Sequence, residues 1–335
     1  MEFGKTHMKM NKELKKIICV TPVYNDWESF SMLVNALEKT YGIPQEKYAI
    51  RIIAINDGSF EENENKTSTG EIPIEIIHLK ANVGHQRAIA VGLQYVNDTA
   101  SDFDYVVVLD SDGEDKPEDI QYLVSKCETE NDKKIIFAKR KKRQESAFFK
   151  MGYFIYKYIF FALTGQKISF GNFSCIPKKL LKRVVVQDNL WNHYSGSIIQ
   201  SKTPFSKVLL DKGKRYAGHS KMNFTNLVLH GLSSISVYFD TLSVRILKLS
   251  LFGVLVCFLS VMAVLYIKLF TESSIPGWAS NLILIIFSII LQLFSVTLIV
   301  LLMQLSARKN IKSPSERIYK EFIDSIHTLK SNKKE

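Results

Sequence analysis

Val106-Val107-Val108-Leu109-Asp110-Ser111-Asp112-Gly113-Glu114-Asp115 carries the signature of the fold: an apolar, β-branched run that stops abruptly at a cluster of carboxylates. A run that is apolar without alternation is expected of a strand buried on both faces, as parallel strands of an α/β sheet are. Ligands of such sheets bind outside the carboxyl ends of the strands. Two carboxylates two residues apart at that edge suit one hard divalent cation and the diphosphate it carries. Taken alone, the same residues read equally well as an acidic turn capping a helix that Pro117 opens.

On the N-terminal side the pattern repeats. Ile17-Ile18-Cys19-Val20-Thr21-Pro22-Val23-Tyr24 predicts a buried first strand, broken by Pro22 and followed by Asn25-Asp26. The spacing of Phe30, Leu33, Val34 and Leu37 predicts a helix over 27–39. Residues 50–55 predict a second strand ending in Asn56-Asp57-Gly58-Ser59. Residues 74–79 predict a third, ending in Asn82-Val83-Gly84-His85-Gln86-Arg87, with a helix to about residue 96. Beyond the acidic cluster come a helix from Pro117 and a fifth strand over 134–138. Strands alternating with helices predict an α/β fold with a doubly wound, mostly parallel sheet. Polar residues recur where strands end, at Asp26, Asp57, Asn82 and Asp110/Asp112, and that recurrence turns an acidic turn into a site. No G-x-G-x-x-G follows the first strand and no G-x-x-x-x-G-K-[ST] occurs, which excludes the dinucleotide and P-loop modes of phosphate binding.

The 335 residues are 46% hydrophobic with a formal net charge of +11, and the apolar residues are unevenly spread. Residues 249–269 and 279–305 form two long apolar stretches, and crossing a bilayer takes about 20 such residues. Thr271-Glu272-Ser273-Ser274-Ile275-Pro276-Gly277-Trp278 between them lacks Lys and Arg. Arg245 and Lys248 precede the first stretch, and Arg308, Lys309, Lys312 and Arg317 follow the second. The positive-inside rule then predicts a multi-pass integral membrane protein with both ends of the hairpin, and the large N-terminal part, in the cytoplasm (the plasma membrane in a bacterium). Cys19, Cys127, Cys175 and Cys257 have no metal-type spacing and read as reduced structural residues. The polar start of the chain carries no signal-peptide pattern. The positive charge fits an anionic leaflet and a phosphate-bearing ligand, and nothing in the sequence points to nucleic acid.

Pro22-Val-Tyr-Asn-Asp26, Asn56-Asp-Gly-Ser59, Asn82-Val-Gly84 and Asp110-Ser-Asp112, in this order and spacing, resemble glycosyltransferase family 2 over about residues 16–140. The continuation, with a basic stretch, an aromatic helix and a C-terminal membrane hairpin, is similar to the polyisoprenyl-phosphate glycosyltransferases of that family, the dolichol-phosphate mannose synthases and bacterial undecaprenyl-phosphate glucosyltransferases among them. The resemblance implies a GT-A-like nucleotide-sugar domain and an inverting, metal-dependent hexosyltransferase. Its donor would be a UDP- or GDP-linked sugar and its acceptor a polyprenyl phosphate at the bilayer. Asp57 would bind the nucleobase, with Pro22 and Tyr24 lining the same pocket and Asp26 standing where the family usually has Glu. Asp110 and Asp112 would hold Mg²⁺ or Mn²⁺, while Asn82 and Arg87 would contact the diphosphate or sugar. Glu114 and Asp115 are expected to cap the helix near Pro117.

Downstream, Lys139-Arg140-Lys141-Lys142-Arg143 is a cationic run that suits either a leaflet or an acceptor phosphate, the resemblance pointing to Arg140, Arg143 and Lys150. The aromatic stretch 148–163 reads as an interfacial helix, or as a buried one. Asn172 and Ser174 stand where relatives usually have an acid and an Arg. Residues 191–196 form a polar-aromatic cluster suited to sugar stacking, and Asp188 is the first candidate base were the acceptor a hydroxyl. Residues 212–223 resemble a family segment in which a tight turn presents Arg215 and Lys221 to a phosphate. The expected organisation is a polar tail (1–15), the glycosyltransferase domain (16–222), an amphipathic linker (223–246), the membrane hairpin (247–306) and a basic cytoplasmic tail (307–335). Two spans per chain also leave room for packing into a homo-oligomer.

Overall fold

The structure is a computed structural model that describes residues 14–42, 47–60, 70–140, 158, 160–166, 171–217, 233–270, 277–309 and 317–329. Arg143, Lys150 and Lys221, with most of the aromatic stretch 148–163, lie outside the described residues. The chain forms two compact units. The first takes residues 1–145, 168–237 and 314–335, and the second takes 146–167 and 238–313.

The first unit is built on one eight-stranded sheet: β1 (Lys15–Val23), β2 (Tyr48–Asn56), β3 (Ile74–Leu79), β4 (Tyr105–Val108), β5 (Ile135–Arg140), β6 (Ser174–Pro177), β7 (Phe205–Leu210) and β8 (Ile323–Leu329). Their order across the sheet is β7-β5-β6-β4-β1-β2-β3-β8. β1 to β4 run parallel, β5 and β7 share their direction, and β6 and β8 are antiparallel insertions. Helices α1 (Trp27–Tyr41) and α3 (Ile120–Thr129) cover one face. Helices α2 (His85–Thr99), α4 (Lys178–Val185) and α5 (Tyr194–Gln200) cover the other. β4 shows why its sequence is apolar throughout: Tyr105 and Val107 enter one core and Val106 and Val108 the other. α2 lies so close to the sheet that a Cβ on Gly92 would stand 2.5 Å from a Val20 methyl.

Pro22 does not break β1, which runs through it to Val23, with Pro22 opposite Ile55. The β1–β4 ladder ends at Val20 opposite Val108. Val20 and Pro22 have the same parity, and the Val20 carbonyl accepts the Leu109 N–H on the β4 side. The missing Pro22 N–H therefore faces a side where no strand needs it.

Residues 307–335, read from the sequence as a tail, contribute an edge strand. β8 pairs antiparallel with β3, from Ile74 opposite Leu329 to Leu79 opposite Ile323. The segment before it docks on α2. The Tyr319 hydroxyl donates to Asp98 at 2.7 Å, and its N–H donates to Gln94 at 3.2 Å. Arg317 and Lys320 also pair with Asp98, at 3.0 and 3.1 Å. Arg317 is thus part of the folded unit rather than a cation flanking the second apolar stretch.

The second unit contains two 32-residue helices, α6 (Phe239–Phe270) and α7 (Trp278–Lys309), long and apolar enough to cross a membrane. Their surfaces are apolar all round, with Leu249, Leu269 and Phe270 more than 70% exposed, which suits lipid rather than water. On α6 the buried residues are Ser243, Ser250, Cys257 and Val264, spaced by seven, so one seam of small side chains lets the two backbones approach. Both ends of this helix pair connect to the sheet of the first unit, since β7 precedes it and β8 follows it.

Candidate active site

The strand order reverses between β1 and β4, the position at which open α/β sheets bind ligands. The turns that follow β1, β2, β3 and β4 meet there. Asn25, with a left-handed φ of 47°, donates its N–H to Ser59 Oγ at 2.9 Å, and its side chain accepts the Phe60 N–H at 2.9 Å. Asn56 Oδ1 accepts the Ser59 N–H at 3.0 Å. Asp57, 2% exposed, accepts the N–H groups of Val83 at 2.7 Å and Gly84 at 3.0 Å. Gly58, at φ 68°, lies so near this loop that a Cβ would fall 2.5 Å from Asn82 N. Burial pushes the Asp57 carboxyl above its usual range, against the pull of the two N–H groups. Its first duty is therefore to fasten the β3–α2 loop, and each oxygen keeps a lone pair for a ligand.

Beyond β4 four carboxylates are gathered, and cations bind three of them. Asp115 is almost fully buried. Its Oδ2 accepts the Asp110 N–H at 3.0 Å and its Oδ1 meets Arg140 at 3.1 Å. Burial and the neighbouring Asp110 charge push Asp115 up to about 7. Glu114 pairs with Arg140 at 3.0 Å and Lys212 at 2.6 Å. Asp112 accepts the Glu114 N–H at 2.9 Å and binds Arg215 at 2.5 Å. Desolvation and the Asp110 charge raise the Asp112 carboxyl, while the Glu114 N–H and the Arg215 charge oppose that. Asp110 is held below the usual carboxylate range by His85, Arg140 and Arg215, which outweigh its desolvation. Its Oδ1 is buried without a hydrogen bond, 3.3 Å from His85 Nε2.

A strap, residues 211–216, lies across this acidic turn. Gly213 N donates to the Glu114 carbonyl and Tyr216 N to the Asp112 carbonyl, each at 2.9 Å. The Tyr216 ring covers Gly113, whose φ of 83° and lack of a side chain make room for it. Arg215, expected at an acceptor phosphate, pairs with Asp112.

Several expectations change. Glu114 and Asp115 cap no helix: the 3₁₀ turn Pro117–Asp119 and α3 have no side-chain cap at their starts. Arg140, at the end of β5, does not stand free for a phosphate, because both carboxylates grip its guanidinium. Pro22 is buried in β1, its carbonyl accepting Ser111 Oγ at 3.4 Å, while Tyr24 is 37% exposed. Asp26 precedes α1 and accepts the Ser29 hydroxyl at 2.7 Å. Asn82 and Arg87 are exposed on either side of the α2 start. Ser174 is fully buried and bonds Tyr194 at 2.7 Å, so its side chain belongs to the core. The cluster at 191–196 is built into the core rather than set out for a sugar: Trp191 stacks on Phe322 at 5.2 Å, Tyr194 is buried, and His193 accepts the Gly196 N–H at α5. Asp188 is exposed on a 3₁₀ turn.

The structure adds His85 and Gln86 to the residues picked from sequence, and joins both to Asn172. Asn172 Nδ2 lies 3.0 Å from His85 Nε2, and Gln86 Nε2 donates to Asn172 Oδ1 at 3.4 Å. The available signal was a histidine in the first turn of a helix that follows a strand-end glycine.

For a divalent cation, the fit rests on the bare, buried Asp110 Oδ1 at the sheet edge. Among the described residues no group of three or more His, Cys, Asp and Glu forms a ready cage. An ion here would complete its shell with diphosphate oxygens and water, as Mg²⁺ and Mn²⁺ commonly do.

Comparison with known proteins bears on this site. The family model described as Glycosyl transferase family 2 matches residues 18–189, from β1 to the turn after α4. A Bacillus subtilis (strain 168) protein described as an uncharacterized glycosyltransferase, YkcC, is 28% identical over 293 residues, 79% of this chain and 81% of that protein. The undecaprenyl-phosphate 4-deoxy-4-formamido-L-arabinose transferase of Photorhabdus laumondii is 29% identical over 227 residues, 65% of this chain and 66% of that protein. Among solved structures, a complex of Mycobacterium tuberculosis glucosyl-3-phosphoglycerate synthase with Mn²⁺, UDP-glucose and phosphoglyceric acid is 13% identical. It has a TM-score of 0.48 and the match covers 68% of this chain and 80% of that one.

Proposed function

The chain belongs to glycosyl transferase family 2, and on that premise we propose that it transfers a sugar, with inversion, from a nucleotide-sugar to a polyprenyl phosphate at a membrane surface. One observation carries the acceptor: the apolar pair α6 and α7 is inserted within the sequence of the catalytic unit, whose sheet is completed on both sides of it. An enzyme tethered in this way works where a lipid presents its phosphate. Similarity to an undecaprenyl-phosphate sugar transferase supports the same class of acceptor.

The chemistry follows from the site. A lipid phosphate is anionic at neutral pH, so its oxygen attacks the anomeric carbon without a general base, and the bond to the leaving diphosphate breaks on the opposite side. What remains for the protein is positioning and charge neutralisation. Asp110 would hold a divalent cation, which when bound supplies positive charge to the leaving diphosphate. Asp57 fixes the loop at 82–84 beside the donor, and Tyr24 offers an exposed ring for the base. Arg215 delivers a guanidinium over the acidic turn, within reach of either phosphate.

The test uses purified full-length protein in detergent with Mn²⁺, UDP- and GDP-sugars, and short polyprenyl phosphates. The expected product is a lipid-linked monosaccharide, lost in Asp110→Ala and Asp112→Ala. Transfer only to a saccharide hydroxyl refutes the acceptor, and no turnover with any donor refutes the catalytic reading in favour of a membrane adaptor.

A further inference from the structure

We propose that His85 is a protein ligand of the divalent cation, its Nε2 acting beside Asp110 Oδ1, and that this nitrogen makes the site prefer Mn²⁺ to Mg²⁺. The inference rests on the donor half of the proposed function.

The other carboxylates are already neutralised by protein cations. Asp112 accepts the Glu114 N–H and pairs with Arg215, and Asp115 accepts the Asp110 N–H and pairs with Arg140. Glu114 divides its oxygens between Lys212 and Arg140. Asp110 Oδ1 is the buried carboxylate oxygen of this cluster that no arginine, lysine or backbone N–H occupies, and it faces His85 Nε2 at 3.3 Å.

A chain of polar contacts positions that nitrogen. The Tyr194 backbone N–H donates to Gln86 Oε1 at 2.7 Å, Gln86 Nε2 lies 3.4 Å from Asn172 Oδ1, and the Asn172 amide lies 3.0 Å from His85 Nε2. When the ring is protonated Nε2 pairs with the Asp110 carboxylate at 3.3 Å, and a divalent cation would displace that proton and take both atoms as ligands. Donors about 2.1 Å from a common cation stand about 3.0 Å apart at octahedral angles and about 3.4 Å at tetrahedral ones, which brackets this separation.

Position and access agree. His85 is the first residue of α2, set by Gly84 (φ 90°), and the Asp57 carboxylate holds the N–H groups of Val83 and Gly84. The imidazole is 42% exposed, so diphosphate and water reach the same ion. An imidazole nitrogen in the shell favours Mn²⁺, whereas Mg²⁺ keeps to oxygen.

The experiment is pulsed electron paramagnetic resonance on the full-length protein in detergent with Mn²⁺ and either UDP or GDP. Coupling to ³¹P reports that the ion lies on the diphosphate, and coupling to ¹⁴N reports a bound imidazole. Both are expected in the wild type, and [¹⁵N]histidine labelling, which needs no substitution, is expected to convert the nitrogen signal. His85→Gln should keep ³¹P coupling and lose the nitrogen coupling. It should bind Mn²⁺ about 10-fold or more weakly, with Mg²⁺ affinity much less changed. Phosphorus coupling without nitrogen coupling in the wild type, or nitrogen coupling that survives in His85→Gln, overturns the assignment and leaves the proposed function standing. Failure of the wild type to bind Mn²⁺ with either nucleotide overturns both.

Discussion

Asp57→Ala separates two duties that the same carboxylate could perform. In the structure it accepts two backbone N–H groups, from Val83 and Gly84, at 2.7 and 3.0 Å. A hydrogen bond to a charged group contributes about 1.5–3 kcal/mol, so the pair is worth roughly 3–6 kcal/mol before any replacement by water. Val83 and Gly84 are only partly buried, and water recovers some of the loss. The expected local cost is then about 2–4 kcal/mol, equivalent to roughly 30- to 700-fold faster amide exchange at about 1.4 kcal/mol per decade. Hydrogen exchange followed by mass spectrometry, on peptides spanning 80–90, measures this directly. Asp57→Asn should behave almost as badly, because its NH₂ would confront one of the two donors. Nucleotide affinity should fall along with the loop's protection. If affinity falls while protection at 83 and 84 is unchanged, Asp57 is a base ligand and not a fastener, and the reasoning fails.

Three other outcomes are expected. Tyr319→Ala empties a site 2% exposed, packed at 5.8 Å on Tyr95, and should cost about 3–5 kcal/mol. Its mark is faster exchange in β8 and at the β3 edge with α6 and α7 unchanged, and uniform behaviour would argue against docking through this residue. The docking should also be acid-labile. The Tyr319 hydroxyl and Lys320 hold the Asp98 carboxyl below its usual range, so its contribution is complete above the ordinary carboxylate pKa and disappears as pH falls through the depressed value. Exchange in β8 compared at pH 6 and pH 3 should show this, and Asp98→Asn should remove the difference. Gly113→Ala forces a Cβ to 2.6 Å from the Tyr216 ring at a positive φ and should cost about 1–3 kcal/mol, read as faster proteolysis within 211–217. An unaltered cleavage rate would show that the strap does not depend on that contact.

The sequence revealed the parallel half of the sheet because burial on both faces leaves a plain mark. β1, β2 and β4 are nearly unbroken apolar runs, and each ends in polar residues at the edge where the site forms. β6 left no such mark: Ser174-Cys175-Ile176-Pro177 is four residues long and is recognisable only from its partners β4 and β5. β8 was hidden by its own pattern, since Ile323, Ile326 and Leu329 recur every third residue within a basic stretch, and an edge strand needs only partial burial. Charge was legible as composition but not as pairing. The run at 110–115 announced an acidic site, yet only the folded chain shows that Asp115 and Glu114 are occupied by Arg140 and Lys212. His85 was passed over because a lone histidine in a helix start has no periodic meaning, and its significance comes from Asp110 and Asn172, 25 and 87 positions away.

The route by which β8 reaches β3 sets a timetable for biosynthesis. Lys80 and Glu321, bonded at the end of the β3–β8 ladder, are separated by 241 positions. At about 5–20 residues per second a ribosome needs roughly 12–48 s to make the intervening chain. For that interval β3 is an unpaired sheet edge of the kind that recruits foreign strands. During the same interval both long apolar helices emerge, and they must be placed before the strand behind them can turn back. Placement of the helix pair thus becomes a checkpoint for folding: a chain whose helix pair stalls cannot close its sheet, and quality-control proteases that recognise open edges would find it first.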